Sequence, residues 1–175
     1  QLMHVHDPAV TQERYEEVIY RKTAVLFEAG CRLAARLTAP DNPALESAAG
    51  DYGRHLGIAF QLADDALDYD GEAEAIGKNI GDDLAEGKPT LPLIHCLAHC
   101  DEPTRRIIEK AIETGGRTAI EPVTTAIAQT GSIAYTRGLA EQEANRAEAA
   151  LAAFPDSDFR TALSELARFS VGRRY

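Results

Sequence analysis

The amino-acid sequence predicts an all-α fold, and three observations support this prediction. Apolar residues recur at helical spacing along almost the whole chain. No segment alternates apolar and polar residues in the way that a half-buried strand does. Pairs such as Asn42-Pro43 and Gly131-Ser132 mark helix starts and stops between the periodic segments. We therefore expect helices packed into a single domain over residues 1–175, with no interdomain linker.

The composition is typical of a folded globular protein. A length of 175 residues with 45% hydrophobic residues is sufficient for one domain with a sizeable core. The formal net charge of −10, without a basic stripe, argues against nucleic acid or an anionic membrane as a partner. No apolar run reaches the roughly 18 residues of a membrane-spanning helix. The three cysteines, Cys31, Cys96 and Cys100, suit a reducing compartment, so we expect a cytoplasmic protein.

The first predicted helix follows a connecting loop, residues 1–10, that contains a His-x-His pair. Thr11 is a suitable N-cap, and the helix is predicted to run to about Leu37. Its inward stripe is predicted to consist of Val18, Val25, Ala29 and Leu33. Lys22 lies at the centre of this stripe by helical angle, where a lysine needs an anionic ligand. The alternative is that Lys22 extends to solvent or pairs with a structural carboxylate.

A second, longer helix is predicted from Asn42-Pro43 to about Tyr69. At about 100° per residue, its apolar residues form one broad sector: Leu45, Ala48, Ala49, Tyr52, Leu56, Ala59, Phe60, Ala63, Ala66 and Leu67. Gly57 and four polar residues share a sector about 100° wide: Gln61, Asp64, Asp65 and Asp68. A helix that is apolar over most of its circumference is predicted to be buried, so these carboxylates cannot simply face bulk water.

The three aspartates predict a magnesium site. Asp64 and Asp68 are an i,i+4 pair of like charges, which destabilises a helix by about 0.2–0.5 kcal/mol, and Asp65 adds a third charge. In an enclosed site a bound cation would offset this repulsion. Oxygen ligands without Cys or His favour Mg²⁺ or Ca²⁺ over zinc, and Mg²⁺ commonly uses only one or two carboxylates. The alternative is a solvated acidic face, which the flanking apolar residues disfavour.

The long loop after this helix, from Gly71 to Lys88, is acidic and rich in glycine. Lys78 and Lys88 are its only basic residues. Loops of this length in a compact helical protein are commonly functional lids, the alternative being a solvated surface loop. Together, the aspartates and these lysines predict a site for a divalent metal and a phosphorylated ligand.

The remaining helices are predicted from the same start and stop signals. They cover about 90–100, 103 to the Gly115-Gly116 pair, 122 to Gly131, 132 to about 154, and 157 to about 170. The first of them carries two i,i+4 pairs that could bind zinc, His95 with His99 and Cys96 with Cys100. Because the two pairs lie about 100° apart on one short helix, we prefer core packing for the cysteines.

These motifs resemble those of one enzyme family. Residues 60–69 (FQLADDALDY) are similar to the second aspartate-rich motif of the trans-isoprenyl diphosphate synthases. Residues 77–92 (GKNIGDDLAEGKPTLP) resemble the segment that follows this motif in the long-chain members, and residues 20–28 (YRKTAVLFE) resemble the family's Lys-Thr helix. The resemblance covers essentially the whole chain, but only the C-terminal half of a family member.

The resemblance implies an isoprenoid-synthase-type helical bundle around a central cavity, here without its N-terminal helices. It implies a Mg²⁺-dependent, homodimeric prenyltransferase that condenses an allylic diphosphate, such as farnesyl diphosphate, with isopentenyl diphosphate. By motif, Asp64 is implied to bind Mg²⁺ directly, Asp68 to bind it through water, and Asp65 to support them. The residues implied to contact the allylic diphosphate are Lys22, Thr23, Gln61, Lys78 and Lys88, and those implied to act in catalysis are Lys22, Gln61, Asp64 and Lys78.

The sequence departs from the family pattern in one respect. The family's first aspartate-rich motif and its isopentenyl diphosphate segments have no counterpart here, so the 175-residue chain by itself is expected to be inactive. Two other functions stay open on the sequence. One is a class I terpene cyclase, which would release a hydrocarbon without using isopentenyl diphosphate. The other is a non-catalytic subunit that regulates a complete synthase.

Overall fold

The computed structural model describes residues 4–70 and 80–172, and the regular elements of that part are helical. They are α1 (Gln12–Ile19), a π-helical turn (Tyr20–Ala24), α2 (Val25–Thr38), α3 (Pro43–Leu67), α4 (Asp82–Ala85), α5 (Leu91–His99), α6 (Glu102–Thr114), α7 (Ile120–Gln129), α8 (Ser132–Ala150), a 3-10 turn (Leu151–Ala153) and α9 (Asp158–Gly172). The prediction of an all-α fold is confirmed.

Three of the predicted helix starts carry the expected caps. The Thr11 hydroxyl accepts a hydrogen bond from the third N–H that follows it, at 3.3 Å. The Asn42 side-chain oxygen accepts one at 3.1 Å, and the Ser157 hydroxyl accepts one at 3.2 Å. Each bond satisfies a backbone donor that has no partner inside its own helix. These short-range signals therefore placed α1, α3 and α9 correctly.

The predicted inward stripe of the first helix is wrong. Leu33 is 60% exposed and Ala29 is also exposed, whereas Tyr15, Ile19 and Ala24 are buried. The reason is the π-helical turn at Tyr20–Ala24, which adds one residue to the helix and so shifts its register. The step from Ile19 to Ala24 is accordingly five residues rather than three or four.

The end of α3 and the segment after it differ in detail from the prediction. The helix ends at Leu67, two residues before the predicted Tyr69. A short helix that the sequence analysis did not predict, α4, lies within the predicted loop. Gly71 and Lys78 lie outside the described residues.

Contacts divide the described chain into two compact units. The first unit consists of residues 4–18, 64–70 and 80–137, and the second of residues 19–63 and 138–172. In the first unit, α4, α5, α6 and α7 pack around a core that includes Leu84, Leu93, Cys96, Ile108, Ile112, Val123 and Ile127. In the second unit, Tyr52 and Leu56 of α3 pack with Ala147, Leu151 and Ala167. The assignment of residues 1–175 to one synthase domain stays a prediction.

Two further findings concern the cysteines and the hydrophobicity of the helices. Cys31, Cys96 and Cys100 are free thiols. Among the described helices, none combines the length and the hydrophobicity that crossing a bilayer requires.

Candidate functional site

The aspartate-rich end of α3 is enclosed by protein, as the sequence predicts. Ala59 and Ala66 are fully buried, and the side chain of Asp65 is only 3% exposed. Asp64 and Asp68 are half-buried. The last turn of α3 and the residue after it therefore carry one buried carboxylate, Asp65, flanked by two that solvent can still reach.

Asp65 is held by a tyrosine from α1. The Tyr15 hydroxyl donates a hydrogen bond to Asp65 Oδ2 at 2.6 Å, and both side chains are buried. Burial, followed by the charge of Asp65, raises the pKa of Tyr15 well above its usual value, so the hydroxyl stays protonated and can donate. Tyr15 is not among the residues predicted from the sequence. Its spacing of four residues from Ile19 places both side chains on one helix face, and this could have indicated its burial.

Asp68 is bound to the backbone of α4. One of its carboxylate oxygens accepts the N–H of Asp82 at 3.2 Å and the other accepts the N–H of Asp83 at 3.1 Å. Burial, followed by the charge of Asp83, raises the pKa of Asp68 to about 6, although the two hydrogen bonds act in the opposite direction. The charged form of Asp68 is therefore less favoured than that of an aspartate in water.

Lys88 lies beside this acidic cluster. Its ammonium group is 3.3 Å from Asp83 Oδ1 and 2.6 Å from Glu86 Oε2. Burial lowers the pKa of Lys88, but these two carboxylates outweigh it and raise the pKa overall. Lys88 therefore carries a positive charge beside Asp83, whose backbone N–H binds Asp68. Lys78, the other predicted lysine of this segment, lies outside the described residues.

In the second unit, the structure brings together two of the residues predicted to bind substrate. The Thr23 hydroxyl donates to Gln61 Oε1 at 3.0 Å, which fixes the orientation of the Gln61 amide. The close approach of the two helices depends on Gly57, one turn before Gln61, since a Cβ there would lie 2.6 Å from the Cα of Ala24. The neighbouring Lys22 is exposed on the π-helical turn.

The donor set fits a divalent cation held by few protein ligands. Within residues 4–70 and 80–172, no group of three or more His, Cys, Asp or Glu side chains is arranged to hold a metal ion. Mg²⁺ commonly takes one or two carboxylates and completes its coordination with water and phosphate oxygens. The half-buried carboxylates of Asp64 and Asp68 suit such a cation. The ligand roles of Asp64, Asp65 and Asp68 stay predictions.

The histidines and cysteines noted in the sequence make structural contacts in the described residues. His6 Nδ1, from the His-x-His pair, lies 2.9 Å from the carbonyl oxygen of Ile112. The rings of His95 and His99 stack with centroids 4.1 Å apart, and Cys96 is buried in the core of the first unit. The preferred interpretation, in which Cys96 packs in the core, agrees with this placement.

The described residues define an all-α protein with a cluster of carboxylates at the end of its longest helix. Among such proteins, the sequence match is specific: residues 1–130 match the family model described as polyprenyl synthetase. The chain belongs to the polyprenyl synthetase family. The resemblance inferred from residues 20–28, 60–69 and 77–92 is confirmed.

Individual relatives cover the whole chain. The octaprenyl diphosphate synthase of Escherichia coli strain K12 is 51% identical over 174 residues, which are 99% of this chain and 54% of the relative. The octaprenyl diphosphate synthase of Haemophilus influenzae is 47% identical over 176 residues, which are 100% of this chain and 53% of the relative. The chain thus spans about half the length of these relatives.

A solved structure shows the same fold. The polyprenyl synthase of Caulobacter crescentus CB15, complexed with calcium and isoprenyl diphosphate, superposes with a TM-score of 0.90 at 45% identity. The match covers 100% of this chain and 54% of that one. The predicted isoprenoid-synthase-type helical fold is therefore confirmed for this portion.

Proposed function

We propose that the full-length protein that carries this chain is a chain-elongating trans-prenyltransferase. It condenses an allylic diphosphate, such as farnesyl diphosphate, with isopentenyl diphosphate to give a long-chain product, which we infer to be octaprenyl diphosphate for a quinone side chain. The product length rests on the octaprenyl diphosphate synthases that are 47–51% identical. The relatives named above are all synthases, and no observation favours a terpene cyclase or a regulatory subunit.

The observation that carries the proposal is the partly enclosed cluster of three carboxylates, Asp64, Asp65 and Asp68, at the end of α3. Burial and neighbouring carboxylates disfavour the charged form of Asp68 in the protein alone, and a cation bound nearby would relieve this. Magnesium, when bound through Asp64 with support from Asp65 and Asp68, would stabilise the diphosphate that leaves the allylic substrate.

The chain's own residues would bind and orient the substrate. Thr23 and Gln61 form a fixed pair of polar groups that can position diphosphate oxygens through hydrogen bonds. Lys22, Lys78 and Lys88 would supply positive charge to the same group. The apolar residues around the aspartates, such as Ala59 and Ala66, would keep water away from the allylic cation.

Two further expectations, on oligomeric state and cellular location, accompany this proposal. We infer a homodimer, in line with the family resemblance, and a cytoplasmic location, in line with three free thiols. Size-exclusion chromatography with light scattering and cell fractionation would test them separately.

The test uses the full-length protein with farnesyl diphosphate and isopentenyl diphosphate. Asp64→Ala and Lys78→Ala should each lower turnover by orders of magnitude while the far-UV circular dichroism spectrum stays unchanged. Asp51→Ala is a matched control, because Asp51 is an exposed aspartate of the same helix. Mass spectrometry of the product gives its chain length. Near-normal turnover in both site variants would refute the proposed function.

A further inference from the structure

Asp68 makes more contacts with the segment after α3 than a metal ligand needs. Its two carboxylate oxygens accept the backbone N–H groups of Asp82 and Asp83 at 3.2 and 3.1 Å. Its backbone carbonyl oxygen also accepts the N–H of Gly81 at 2.8 Å. Three consecutive backbone donors are therefore held by one residue that lies 13–15 positions earlier in the sequence.

These bonds replace a cap that α4 cannot form locally. The residue before α4 is Gly81, which has no side chain to accept the first N–H groups of the helix. A larger residue is strained there, because φ is +76°, in the left-handed region that favours glycine. The carboxylate of Asp68 therefore does what an N-cap side chain normally does.

The anchored segment ends at Lys88. The N–H of Lys88 donates to the carbonyl oxygen of Asp83 at 2.8 Å, and its ammonium group is 3.3 Å from Asp83 Oδ1. Asp83 is one of the two residues whose N–H groups bind Asp68. A direct path of hydrogen bonds thus runs from Asp68 through Asp83 to the ammonium group of Lys88.

The other end of the segment is fixed by separate contacts. The carbonyl oxygen of Ala85 accepts the N–H of Gly116 at 2.8 Å, and the carbonyl oxygen of Gly87 accepts the N–H of His6 at 2.7 Å. At the end that Asp68 anchors, the side chain of Arg117 binds the Asp82 carboxylate and the carbonyl oxygen of Ile80, so part of that end stays held without Asp68. Since these contacts do not involve Asp68, loss of its carboxylate should loosen residues 81–83 without releasing the whole segment.

From this geometry we propose that Asp68 is a positioning residue, which anchors residues 81–83 and thereby sets the position of Lys88, rather than a direct ligand of the metal ion. The inference rests on the proposed function, because it assigns Lys88 to the diphosphate of the allylic substrate. Asp64, one turn earlier, keeps the role of metal ligand.

Hydrogen–deuterium exchange of the full-length protein, without metal or substrate, tests the anchoring. Asp68→Leu removes both acceptors and should accelerate exchange in residues 81–83 at least about tenfold, whereas Asp68→Asn retains one acceptor oxygen and should give an intermediate effect. Asp64→Asn and Asp51→Asn are controls that should leave this exchange unchanged. If Asp68→Leu does not fold, as judged by exchange in α3, the Asp68→Asn result decides. Unchanged exchange in the folded Asp68 variants would overturn the proposal.

Two further measurements separate positioning from metal ligation. Mn²⁺ affinity, measured by electron paramagnetic resonance, should fall much more in Asp64→Asn than in Asp68→Asn; an equal loss would overturn the proposal. In the prenyl transfer assay, Asp68→Asn should raise KM for the allylic diphosphate, and adding it to Lys88→Met should cause little further change. Full additivity of the two changes would count against the path through Lys88. A protein that makes no prenyl product would refute the proposed function, while the exchange result would still decide the anchoring role of Asp68.

Discussion

Asp68 in the first unit and Glu143 in the second are both partly enclosed carboxylates, but their surroundings differ. Burial and the charge of Asp83 raise the pKa of Asp68 to about 6. Burial acts on Glu143 in the same direction, but His55, at 2.6 Å, and then Arg146 outweigh it and lower the pKa of Glu143 overall. Among the described residues, no basic side chain pairs with Asp68, whereas Glu143 pairs with His55 and Arg146.

The two carboxylates therefore differ in the partners that the described chain supplies. Glu143 pairs with His55 of α3 and with Arg146 of its own helix, α8. The same unit pairs Glu148 with Arg168 and with the hydroxyl of Ser164. Asp68 instead accepts two backbone N–H groups, those of Asp82 and Asp83. The kind of partner, more than burial, therefore distinguishes the two carboxylates.

Removal of divalent metal should have the largest effect on turnover, through the carboxylates of the first unit. Chelation with EDTA is expected to lower turnover of the full-length protein by at least about a thousandfold, because several kcal/mol of leaving-group stabilisation are lost and each 1.36 kcal/mol is tenfold in rate. Added Mg²⁺ should restore turnover. It should also raise the melting temperature of the wild type but not that of Asp64→Asn. Full turnover in EDTA would contradict a metal-binding role for the carboxylates at the end of α3.

Neutralising Glu143 should affect stability rather than turnover. Glu143→Gln replaces a charge-assisted hydrogen bond to His55 with a weaker one, so the free energy of unfolding should fall by about 1–2 kcal/mol in urea denaturation. Glu141→Gln, on the exposed face of the same helix, is the matched control and should change it by less than about 0.5 kcal/mol. Loss of turnover without loss of stability in Glu143→Gln would contradict its structural assignment.

The sequence was sufficient for features that depend on neighbouring residues. Helix caps such as Thr11 and Asn42 act within one turn, and the broad apolar sector of α3 follows from 3.6-residue periodicity, so both could be predicted. The aspartates of residues 64–68 were also correctly placed in an enclosed setting.

Features that depend on distant contacts were not predicted. The π-helical turn at Tyr20–Ala24 shifts the buried face of the first helix, and a fixed period of 3.6 residues cannot show this. The capping role of Asp68 depends on donors 14 and 15 residues away, across a segment with no clear periodicity. Gly57 was assigned to the polar sector by angle, although a glycine inside a helix is itself a signal of close packing.

The smallest expected effect is a pH dependence with opposite signs in the two units. For Glu143 the pKa in the folded state lies below its unfolded value of about 4.5. Its contribution to stability is therefore present above pH 4.5 and is lost as the pH falls through the folded pKa. The destabilisation caused by Glu143→Gln should accordingly be largest near pH 7 and should shrink in acid.

For Asp68 the sign is reversed, because its folded pKa of about 6 lies above the unfolded value of 3.8. The folded state binds more protons between these values, so the stability that Asp68 contributes is fully present below pH 3.8 and is lost as the pH rises through 6. In metal-free protein, the unfolding free energy of the wild type relative to Asp68→Asn should fall between pH 4 and 6.5. We expect a change on the order of 1 kcal/mol, since solvent reaches part of this carboxyl group. Urea denaturation across this range measures the change. If the unfolding free energy instead rose with pH, as expected for the contribution of Glu143, the two carboxylates would not differ in their effect on stability.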